Sequence, residues 1–250
     1  MGVFSGPTDD WWNLTGGTDI LRTNIATEQV IQDGLVLNLD AGVSSSYPGS
    51  GTSWTDLSGN GNNGTLENGV GYNSSNGGSL TFDGGDDYAR IPNNGSLNTQ
   101  TPSVEVWIKT NAIAQNGFWF EKGAVNRQYS LFQNSGAILW RQRLADNTLT
   151  DLSIITSNFI NTSNWYQVVG TFVSGSRRLY INGVQVNSDT LSGTIATHSD
   201  GASIGAYGGY FGSKSYYYNG NLAVCRVYNK ALSASEIQQN FNATKFRFGL

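Results

Sequence analysis

Cysteine, clustered basic residues and long apolar runs are scarce or missing in this chain. The one cysteine, Cys225, excludes an intrachain disulfide, and its position within the apolar stretch LAVCRVY predicts a small, buried side chain. The 14 lysine and arginine residues are dispersed and are outnumbered by 18 acidic residues, giving a net charge of -4, which argues against nucleic-acid binding. Apolar runs fall well short of a membrane span, so we expect no membrane insertion.

The N-terminal sequence MGVFSGPTDDWW lacks the charged start and the continuous apolar core of a secretory signal peptide. We therefore expect synthesis and folding in a cytoplasm. Residues 1–33 carry apolar side chains without a clear period, and we interpret them as an arm that either wraps the domain or docks on a partner, since exposed tryptophans are otherwise unfavourable. The candidate docking residues are Trp11, Trp12, Ile20 and Leu21.

Glycine and aromatic residues, in contrast, are abundant. The chain has 32 glycines, 12% aromatic residues and only 13% charged residues. Such a composition is typical of many short strands joined by glycine and asparagine turns, and it is unfavourable for helices. For 250 residues we predict an all-β protein, with one large antiparallel sandwich over residues 34–250 preceded by the arm.

Apolar periodicity marks several strands. Residues 35–39 form a short apolar run that predicts an inner strand. The runs 79–83 and 88–91 flank a Gly-Gly pair and predict a hairpin. In residues 104–109, branched apolar side chains alternate with Glu105, Trp107 and Lys109, which predicts a strand with one covered face. Glu105 is then expected on the opposite face, pointing to solvent.

The segment 165–187 and the C-terminus carry the clearest local signals. NWYQVVGTFVSGSRRLYINGVQV predicts three successive strands, separated by a Ser-Gly-Ser turn and by the Asn182-Gly183 turn. Near the C-terminus, Ser233 and Glu236 form a capping box, which predicts a short helix over residues 234–241.

The loop that begins at Asp56 combines oxygen-bearing side chains with glycines. Its sequence DLSGNGNNG places such side chains at alternate positions, a spacing that lets them converge on one centre. The pattern matches several positions of an EF-hand calcium loop, although the flanking strands exclude the helix pair of a true EF-hand. The alternative is an asparagine-glycine turn held by its own hydrogen bonds. The candidate calcium ligands are Asp56, Ser58, Asn60, Asn62 and Glu67.

A second acidic cluster surrounds the Gly-Gly pair at 84–85. Asp83, Asp86 and Asp87 place three carboxylates within five residues, a density that could bind a cation. Aspartate is also favoured in turns because it hydrogen-bonds to nearby backbone groups, so a plain turn is the alternative.

The segment 206–221, AYGGYFGSKSYYYNGN, is dense in tyrosine and glycine. Flat aromatic faces with hydroxyl edges suit sugars or protein partners, so this segment is the predicted recognition surface. The alternative is that alternating tyrosines such as Tyr216 and Tyr218 are strand residues that pack inward. The candidate ligand-binding residues are Tyr207, Tyr210, Phe211, Tyr216, Tyr217 and Tyr218.

Three stretches of the chain resemble one family. GLVLNLDAG followed by WTDLSGNGNNGT, the W-x-x-V and L-Y-I-N-G pattern of the segment 165–187, and the C-terminal YYNGNLAVCRVYNKALSASEIQQNF are similar to the LamG-like (concanavalin A-like) jelly-roll domains. The resemblance implies a two-sheet sandwich over residues 34–241 in which the first and last strands pair. It also implies calcium near the Asp56 loop, but this chain has Ala223 and Val224 where many members carry an acidic pair.

The residue pattern gives little support to catalysis. Glycosidases need two carboxylates that flank one bond, and those that share this jelly roll carry an E-x-D-x-E strand that this sequence lacks. His198 is followed by Ser199 and Asp200, but a catalytic triad needs side chains brought together from separate elements. Cys225 has no histidine near it in sequence. We therefore predict that the protein is not an enzyme.

The sequences of the first and last motifs, GLVLNLDAG to GNGNNGTL and ALSASEIQQNFNATK, are also similar to those of structural proteins of tailed bacteriophages. This resemblance implies a virion protein, in capsid decoration or a tail fibre, that is assembled in the host cytoplasm. Under this hypothesis the arm binds other virion proteins, the chain forms a homo-oligomer within the assembly, and the sandwich faces outward for surface or glycan recognition. The alternative is a calcium-dependent carbohydrate-binding module, or lectin, of a bacterial surface or secreted protein, which binds glycans through residues 207–218 and the Asp56 loop.

Overall fold

The computed structural model describes residues 28–123, 127–210 and 212–250. Strands dominate this part of the chain and form the antiparallel sandwich predicted from the sequence, in which each of the two sheets has eight strands. The predicted docking residues and one predicted ligand-binding residue lie outside the described residues. They are Trp11, Trp12, Ile20, Leu21 and Phe211.

The strands are numbered in chain order. The first eight are β1 (Leu35–Asp40), β2 (Ser53–Trp54), β3 (Gly64–Glu67), β4 (Gly71–Asn73), β5 (Ser79–Asp83), β6 (Tyr88–Ile91), β7 (Ser103–Thr110) and β8 (Gly117–Lys122). The others are β9 (Tyr129–Asn134), β10 (Ala137–Arg143), β11 (Leu149–Ile155), β12 (Tyr166–Val173), β13 (Ser176–Ile181), β14 (Val184–Asp189), β15 (Ala202–Ile204) and β16 (Asn219–Tyr228). An α-helix, α1 (Ala234–Lys245), and short 3-10 turns at Ser75–Gly77, Thr156–Asn158 and Phe246–Phe248 complete the elements.

The two sheets interleave strands from distant parts of the chain. Sheet A has the order β14-β13-β12-β7-β16-β5-β4, with β1 also paired to β16. Sheet B has the order β11-β10-β9-β8-β15-β6-β3-β2.

Strand β16 is the organising strand of sheet A. One edge of it pairs with β7, while along the other edge its first half pairs with β5 and its second half with β1. The pairing of the first strand with the last closes the jelly roll and confirms that prediction. Cys225, in the middle of β16, is fully buried as predicted, and burial raises the pKa of its thiol, which keeps it protonated and unreactive.

The hydrophobic core lies between the two sheets. Trp54, Trp119 and Trp140 of sheet B are fully buried there. Gly170 of β12 in sheet A lies directly over the last of these rings, and a Cβ at this position would be 2.4 Å from an atom of Trp140. A side chain at position 170 would therefore clash with the Trp140 ring, and the packing of the two sheets here requires glycine.

The segment 79–91 is not a hairpin, so that prediction is wrong. β5 pairs with β16 in sheet A, whereas β6 pairs with β3 and β15 in sheet B. The chain crosses between the sheets at Gly84, which has a φ of +79°. Phe82 of β5 and Ile91 of β6 both belong to the core between the sheets. With the two strands in opposite sheets, the apolar face of each strand is buried against the other sheet.

Strands β12, β13 and β14 confirm the three-stranded segment predicted for residues 165–187. Each pairs antiparallel with the next. Asn182 and Gly183 between β13 and β14 have φ values of +50° and +79°, as a tight hairpin turn of type I′ requires.

Helix α1 covers the outer face of sheet A. It begins at the predicted capping box, in which Ser233 Oγ accepts a hydrogen bond from Glu236 N at 3.3 Å and Glu236 Oε2 accepts one from Ser233 N at 2.8 Å. The helix continues four residues beyond the predicted end, and its last turn buries Thr244. Phe241 stacks on Trp107 of β7, with 5.8 Å between the ring centroids. No helix among the described residues is both long and apolar enough to cross a membrane.

The described end of the arm also lies against α1. Ile31 N donates a hydrogen bond to Asn240 Oδ1 at 2.8 Å, and Gln239 Nε2 donates one to Gln29 O at 2.7 Å. Residues 28–33 thus pack on the domain itself.

Glu105 is buried, which corrects the prediction that it points to solvent. Because α1 covers this side of β7, the strand is buried on both faces and the predicted single covered face is wrong. The carboxylate is surrounded by hydrogen-bond donors, which makes its burial tolerable. Its donors are Arg226 Nη1 at 3.0 Å, Gln167 Nε2 at 2.9 Å, Trp107 Nε1 at 3.1 Å and Asn240 Nδ2 at 2.8 Å.

Candidate functional site

The tyrosine loop, residues 206–218, is tied to strand β8 of sheet B. Gly205 N donates a hydrogen bond to Phe118 O at 3.0 Å, and Phe118 N donates one to Tyr216 O at 3.3 Å. The first and last parts of the loop are joined by two backbone hydrogen bonds, from Tyr207 N to Ser215 O at 2.9 Å and from Ser215 N to Tyr207 O at 3.3 Å. The loop therefore holds its side chains beside those of β8.

Four rings at this position form an aromatic cluster, which consists of Phe118, Phe132, Tyr207 and Tyr216. Phe118 and Phe132 lie opposite each other on β8 and β9 and stack with 4.3 Å between centroids and 1° between ring planes. The Tyr207 ring is 5.4 Å from Phe118 and 6.0 Å from Tyr216. None of the four rings belongs to the core between the sheets.

The strand pattern explains why these phenylalanines face outward. Side chains alternate along β9, so Leu131 points into the core and Phe132 points to the opposite face. The register of β8 shifts between Phe118 and Phe120, which turns Trp119 and Phe120 inward while Phe118 pairs with Phe132 outside.

Tyr216 occupies an unusual backbone conformation. Its φ is +50°, a left-handed value that is uncommon for residues with large side chains. Its side chain is 53% exposed although it touches two other rings. Backbone strain of this kind tends to persist at functional positions, so an exposed, strained tyrosine marks the cluster as a candidate binding site.

Two arginines flank the aromatic cluster. The Arg127 guanidinium lies 4.5 Å from the Tyr207 ring centroid, and that of Arg141 lies 4.7 Å from the Phe132 centroid. Arg141 also forms two hydrogen bonds with Asp151, of 2.6 and 2.7 Å. A cavity of about 190 Å³ opens here and is lined by Asn116, Phe118, Arg127, Phe132, Gln133, Asn134, Arg141 and Tyr216.

A buried carboxyl group, Glu121, lies next to this site. It accepts hydrogen bonds from Gly208 N and Gly209 N of the tyrosine loop through Oε2. Its Oε1 has no hydrogen-bond partner and lies 3.7 Å from Arg127 Nε. Burial raises the pKa of Glu121 to about 8, and the loop amides and Arg127 oppose this shift only in part.

Lys214 organises the far side of the tyrosine loop. Its ammonium donates to the backbone carbonyl oxygens of Gly208, Gly209, Tyr210 and Gly212, at distances from 2.6 to 3.5 Å. Burial lowers the pKa of this lysine. Several loop carbonyls are thus satisfied by one side chain, which fixes the loop shape.

The predicted ligand-binding tyrosines are not all brought together. Tyr207 and Tyr216 join the aromatic cluster, whereas Tyr218 is fully buried in the core, as in the inward-packing alternative. Tyr210 is half-buried and lies under the Arg90 guanidinium, 5.4 Å from it, and Tyr217 is also half-buried.

Four residues of the site were missed by sequence reasoning, namely Phe118, Phe132, Arg127 and Arg141. The alternation of apolar residues along 129–132 indicates two faces, but it does not tell which face is the core. The arginines are isolated in sequence, and only their contacts with aromatic rings in the folded structure identify them as site residues.

The Asp56 loop is closed by its own hydrogen bonds. Asp56 Oδ1 accepts from Asn38 N at 2.8 Å and from Ser58 N at 2.9 Å. Oδ2 accepts from Ser58 Oγ at 2.8 Å and from Asn62 N at 2.9 Å. Asn62 is buried and donates through Nδ2 to Val36 O at 2.6 Å. These bonds correspond to the turn alternative.

The other predicted calcium ligands have separate partners. Asn60 Nδ2 donates to Leu35 O at 3.2 Å. Glu67 lies on β3 and pairs with Arg90 at 2.6 Å. A calcium site at this loop stays a prediction, which a comparison of melting temperatures with calcium and with a chelator can test.

The acidic residues at the sheet crossing do lie together. Carboxylate oxygens of Asp83, Asp86 and Asp87 are within 4.8 Å of one another. Asp83 Oδ1 accepts from Gly85 N at 2.7 Å, and Asp87 Oδ2 accepts from Asp83 N at 3.0 Å. The cluster therefore stabilises the crossing through local hydrogen bonds, as the turn alternative expects.

The residues around the single histidine have a structural role. The ammonium of buried Lys122 donates to the backbone carbonyl oxygens of His198, at 3.2 Å, and of Asp200. Burial lowers the pKa of Lys122 to about 8. Gly201 N donates to Asp200 Oδ1 at 2.8 Å.

Comparison with solved structures finds this fold in toxin binding domains. The receptor-binding domain of the botulinum neurotoxin C/D mosaic serotype has a TM-score of 0.66 at 18% identity, covering 84% of this chain and 51% of that chain. The binding domain of Paraclostridial Mosquitocidal Protein 1 has a TM-score of 0.65 at 19% identity, over 85% and 52%. The binding domain of botulinum neurotoxin DC in complex with SialylT has 0.66 at 17%, over 86% and 52%.

The chain thus spans about half the length of these solved chains. At these identities the likeness concerns the fold. No curated protein matches this chain. A family model described as the concanavalin A-like lectin/glucanases superfamily matches residues 83–238, which include β6 to β16 and the whole tyrosine loop. The chain therefore belongs to the concanavalin A-like lectin/glucanases superfamily.

Proposed function

We propose that this domain is a non-enzymatic carbohydrate-recognition module and that its binding site is the aromatic cluster on the outer face of sheet B. The observation that carries the proposal is Tyr216, an exposed ring held in a left-handed backbone conformation at the mouth of a cavity. Contacts with the rings of Phe118 and Tyr207 restrain the Tyr216 side chain, so it loses less conformational freedom when a ligand binds.

The chemistry of the cavity suits a sugar. Aromatic faces stack on the apolar face of a sugar ring, and amide side chains hydrogen-bond to its hydroxyl groups. The cavity offers both, since the exposed Tyr216 ring lines it together with the amides of Asn116 and Asn134.

The comparisons agree with recognition as the general role. The binding domain of botulinum neurotoxin DC is described in complex with SialylT and also with rat synaptotagmin II, and cell entry of botulinum neurotoxin type C is described as dependent on two ganglioside molecules. For the present chain, glycan binding and the absence of catalysis both remain part of the proposal.

Glycan-array binding of the purified protein tests the proposal. We expect Tyr216→Ala to weaken binding about two- to tenfold, because one aromatic contact is worth about 0.5–1.5 kcal/mol. The matched control is Tyr72→Ala, which removes a partly exposed tyrosine on β4 of sheet A and leaves the cluster intact. Absence of binding by the wild type, or equal binding by the Tyr216 variant, would overturn it.

We also propose a setting for this module, a virion of a tailed bacteriophage, on the resemblance of its first and last motifs. In this setting residues 1–27 bind other virion proteins, and the sandwich projects outward as part of a homo-oligomer. Deletion of residues 1–27 preserves the contacts of residues 28–33 with α1, so the domain should still fold. We expect the truncated protein to be absent from particles, and normal incorporation would contradict this setting. A glycan-binding lectin outside a virion is the alternative.

A further inference from the structure

The two arginines of the aromatic cluster differ in how their charges are balanced. Arg141 forms a two-pronged ion pair with Asp151, in which Nε and Nη2 each meet one carboxylate oxygen. This geometry occupies the Nε/Nη2 edge of the guanidinium, and the Asp151 carboxylate balances its charge. Arg141 therefore contributes a flat surface over Phe132 and little net charge.

Arg127 has no comparable partner. It makes no hydrogen bond within the described residues, and its nearest acidic group is Glu121, whose Oε1 is 3.7 Å from Nε. Its guanidinium carbon lies 4.5 Å from the centroid of the Tyr207 ring, and this contact holds the guanidinium at the edge of the cavity. Its side chain keeps 21% of its surface exposed, so a ligand in the cavity can reach it.

The charge of Glu121 decides the net charge beside Arg127. Glu121 is contacted by two backbone amides of the tyrosine loop, and the other charged group that acts on it is the Lys214 ammonium. Its neighbours across the sheet, Ser130 on β9 and Ser203 on β15, carry no charge. Burial raises the pKa of Glu121 to about 8, so near neutral pH the carboxyl is mostly protonated and does not balance the positive charge of Arg127.

We infer that the ligand of this site is an acidic glycan, bearing a carboxylate or a sulfate, and that Arg127 binds the acidic group while Tyr216 stacks on a sugar ring. This inference rests on the proposed function and specifies its ligand class. A guanidinium that lies against an aromatic ring and has no hydrogen-bonded acidic partner provides the paired N–H donors that planar or tetrahedral anions accept.

The test is an array that contains carboxylated and sulfated glycans together with their neutral parent glycans. We expect the wild type to prefer the acidic members, and Arg127→Gln to reduce that preference at least about tenfold. Arg127→Lys, which keeps the charge but loses the paired donors, should fall between the two. Arg178→Gln on β13 of sheet A is the matched control, since it removes one positive charge far from the cluster.

A second readout separates anion recognition from folding. As pH rises through about 8, Glu121 loses its proton and its negative charge balances that of Arg127. The preference for acidic glycans should therefore fall, while binding of neutral glycans should not. Glu121→Gln keeps an acceptor for the loop amides and should make the preference independent of pH across this range.

The outcomes distinguish the two proposals. Equal binding of acidic and neutral glycans, or an acidic preference that survives Arg127→Gln, would overturn this inference and leave the proposed function standing. No binding of any glycan would overturn the proposed function and this inference with it.

Discussion

Glu105 and Glu121 are both fully buried carboxyl groups, but their surroundings differ. Glu105 accepts hydrogen bonds from four side chains, including the guanidinium of Arg226. Glu121 accepts from two backbone amides, and one of its oxygens has no hydrogen-bond partner. A fully satisfied buried ion pair stabilises one packing arrangement, whereas an incompletely satisfied carboxyl beside a cavity is typical of a binding site.

Replacement of Glu105 should therefore be costly. We expect Glu105→Ala to lower the free energy of unfolding by about 3–5 kcal/mol, because it leaves the Arg226 guanidinium buried without its carboxylate. Urea unfolding followed by tryptophan fluorescence measures the loss. The control is Glu67→Ala, which breaks a partly exposed ion pair with Arg90 and should cost about 0–1 kcal/mol. Equal losses for the two variants would contradict the assigned role of Glu105.

At the scale of elements, the loop between β2 and β3 is held by hydrogen bonds between short polar side chains and the backbone, in place of the backbone hydrogen bonds of a strand pair. Asp56 gathers donors from β1, from its own turn and from Asn62. The loop is thereby fastened to the first strand of sheet A, although it connects two strands of sheet B. Its polar residues join the two sheets at one end of the sandwich.

This geometry gives an expectation for calcium. A calcium ion at Asp56 would have to displace donors that already occupy both carboxylate oxygens, so we expect the same melting temperature with calcium and with a chelator. Asp56→Ala should lower the free energy of unfolding by about 2–3 kcal/mol in both conditions, because backbone amides lose a charged acceptor. A melting temperature that rises with calcium in the wild type, and not in the variant, would establish the calcium site predicted from the sequence.

At the scale of the whole molecule, the outer faces of the two sheets have different coverings. Helix α1 and the 3-10 turn Phe246–Phe248 cover sheet A, where Trp107 and Phe248 stack at 4.6 Å. Sheet B carries the tyrosine loop, which leaves a cavity beside the aromatic cluster. Recognition is therefore expected on sheet B.

Hydrogen exchange can locate the bound glycan on the whole domain. We expect binding to slow amide exchange in β8, β9 and the tyrosine loop, because the ligand restrains the loop, and to leave α1 unchanged. The Tyr216→Ala variant with the same glycan is the control and should show weaker protection. Protection confined to α1 or to residues 56–63 would place the ligand elsewhere, and the second result would favour the lectin alternative at the Asp56 loop.

Local signals predicted those parts of the fold whose cause is local. The Asn182-Gly183 turn and the Ser233–Glu236 capping box follow from the conformations that those residues favour, and both are present. The hairpin predicted for residues 79–91 failed because a Gly-Gly pair permits a reversal within one sheet as well as a crossing between two. Which of these outcomes occurs depends on the strands that are available to pair with β5 and β6. These partners, such as β16 and β15, lie far away in the sequence.

The sequence by itself determined that this is an all-β sandwich, since glycine-punctuated apolar alternation can be buried in few other ways. It also marked the tyrosine loop as a surface of interest. Only the tertiary structure decided which tyrosines face outward, which phenylalanines join them and which arginine has no hydrogen-bonded acidic partner. The physical reason is that outward position and charge balance depend on neighbours from separate strands, and the sequence does not state which strands become neighbours.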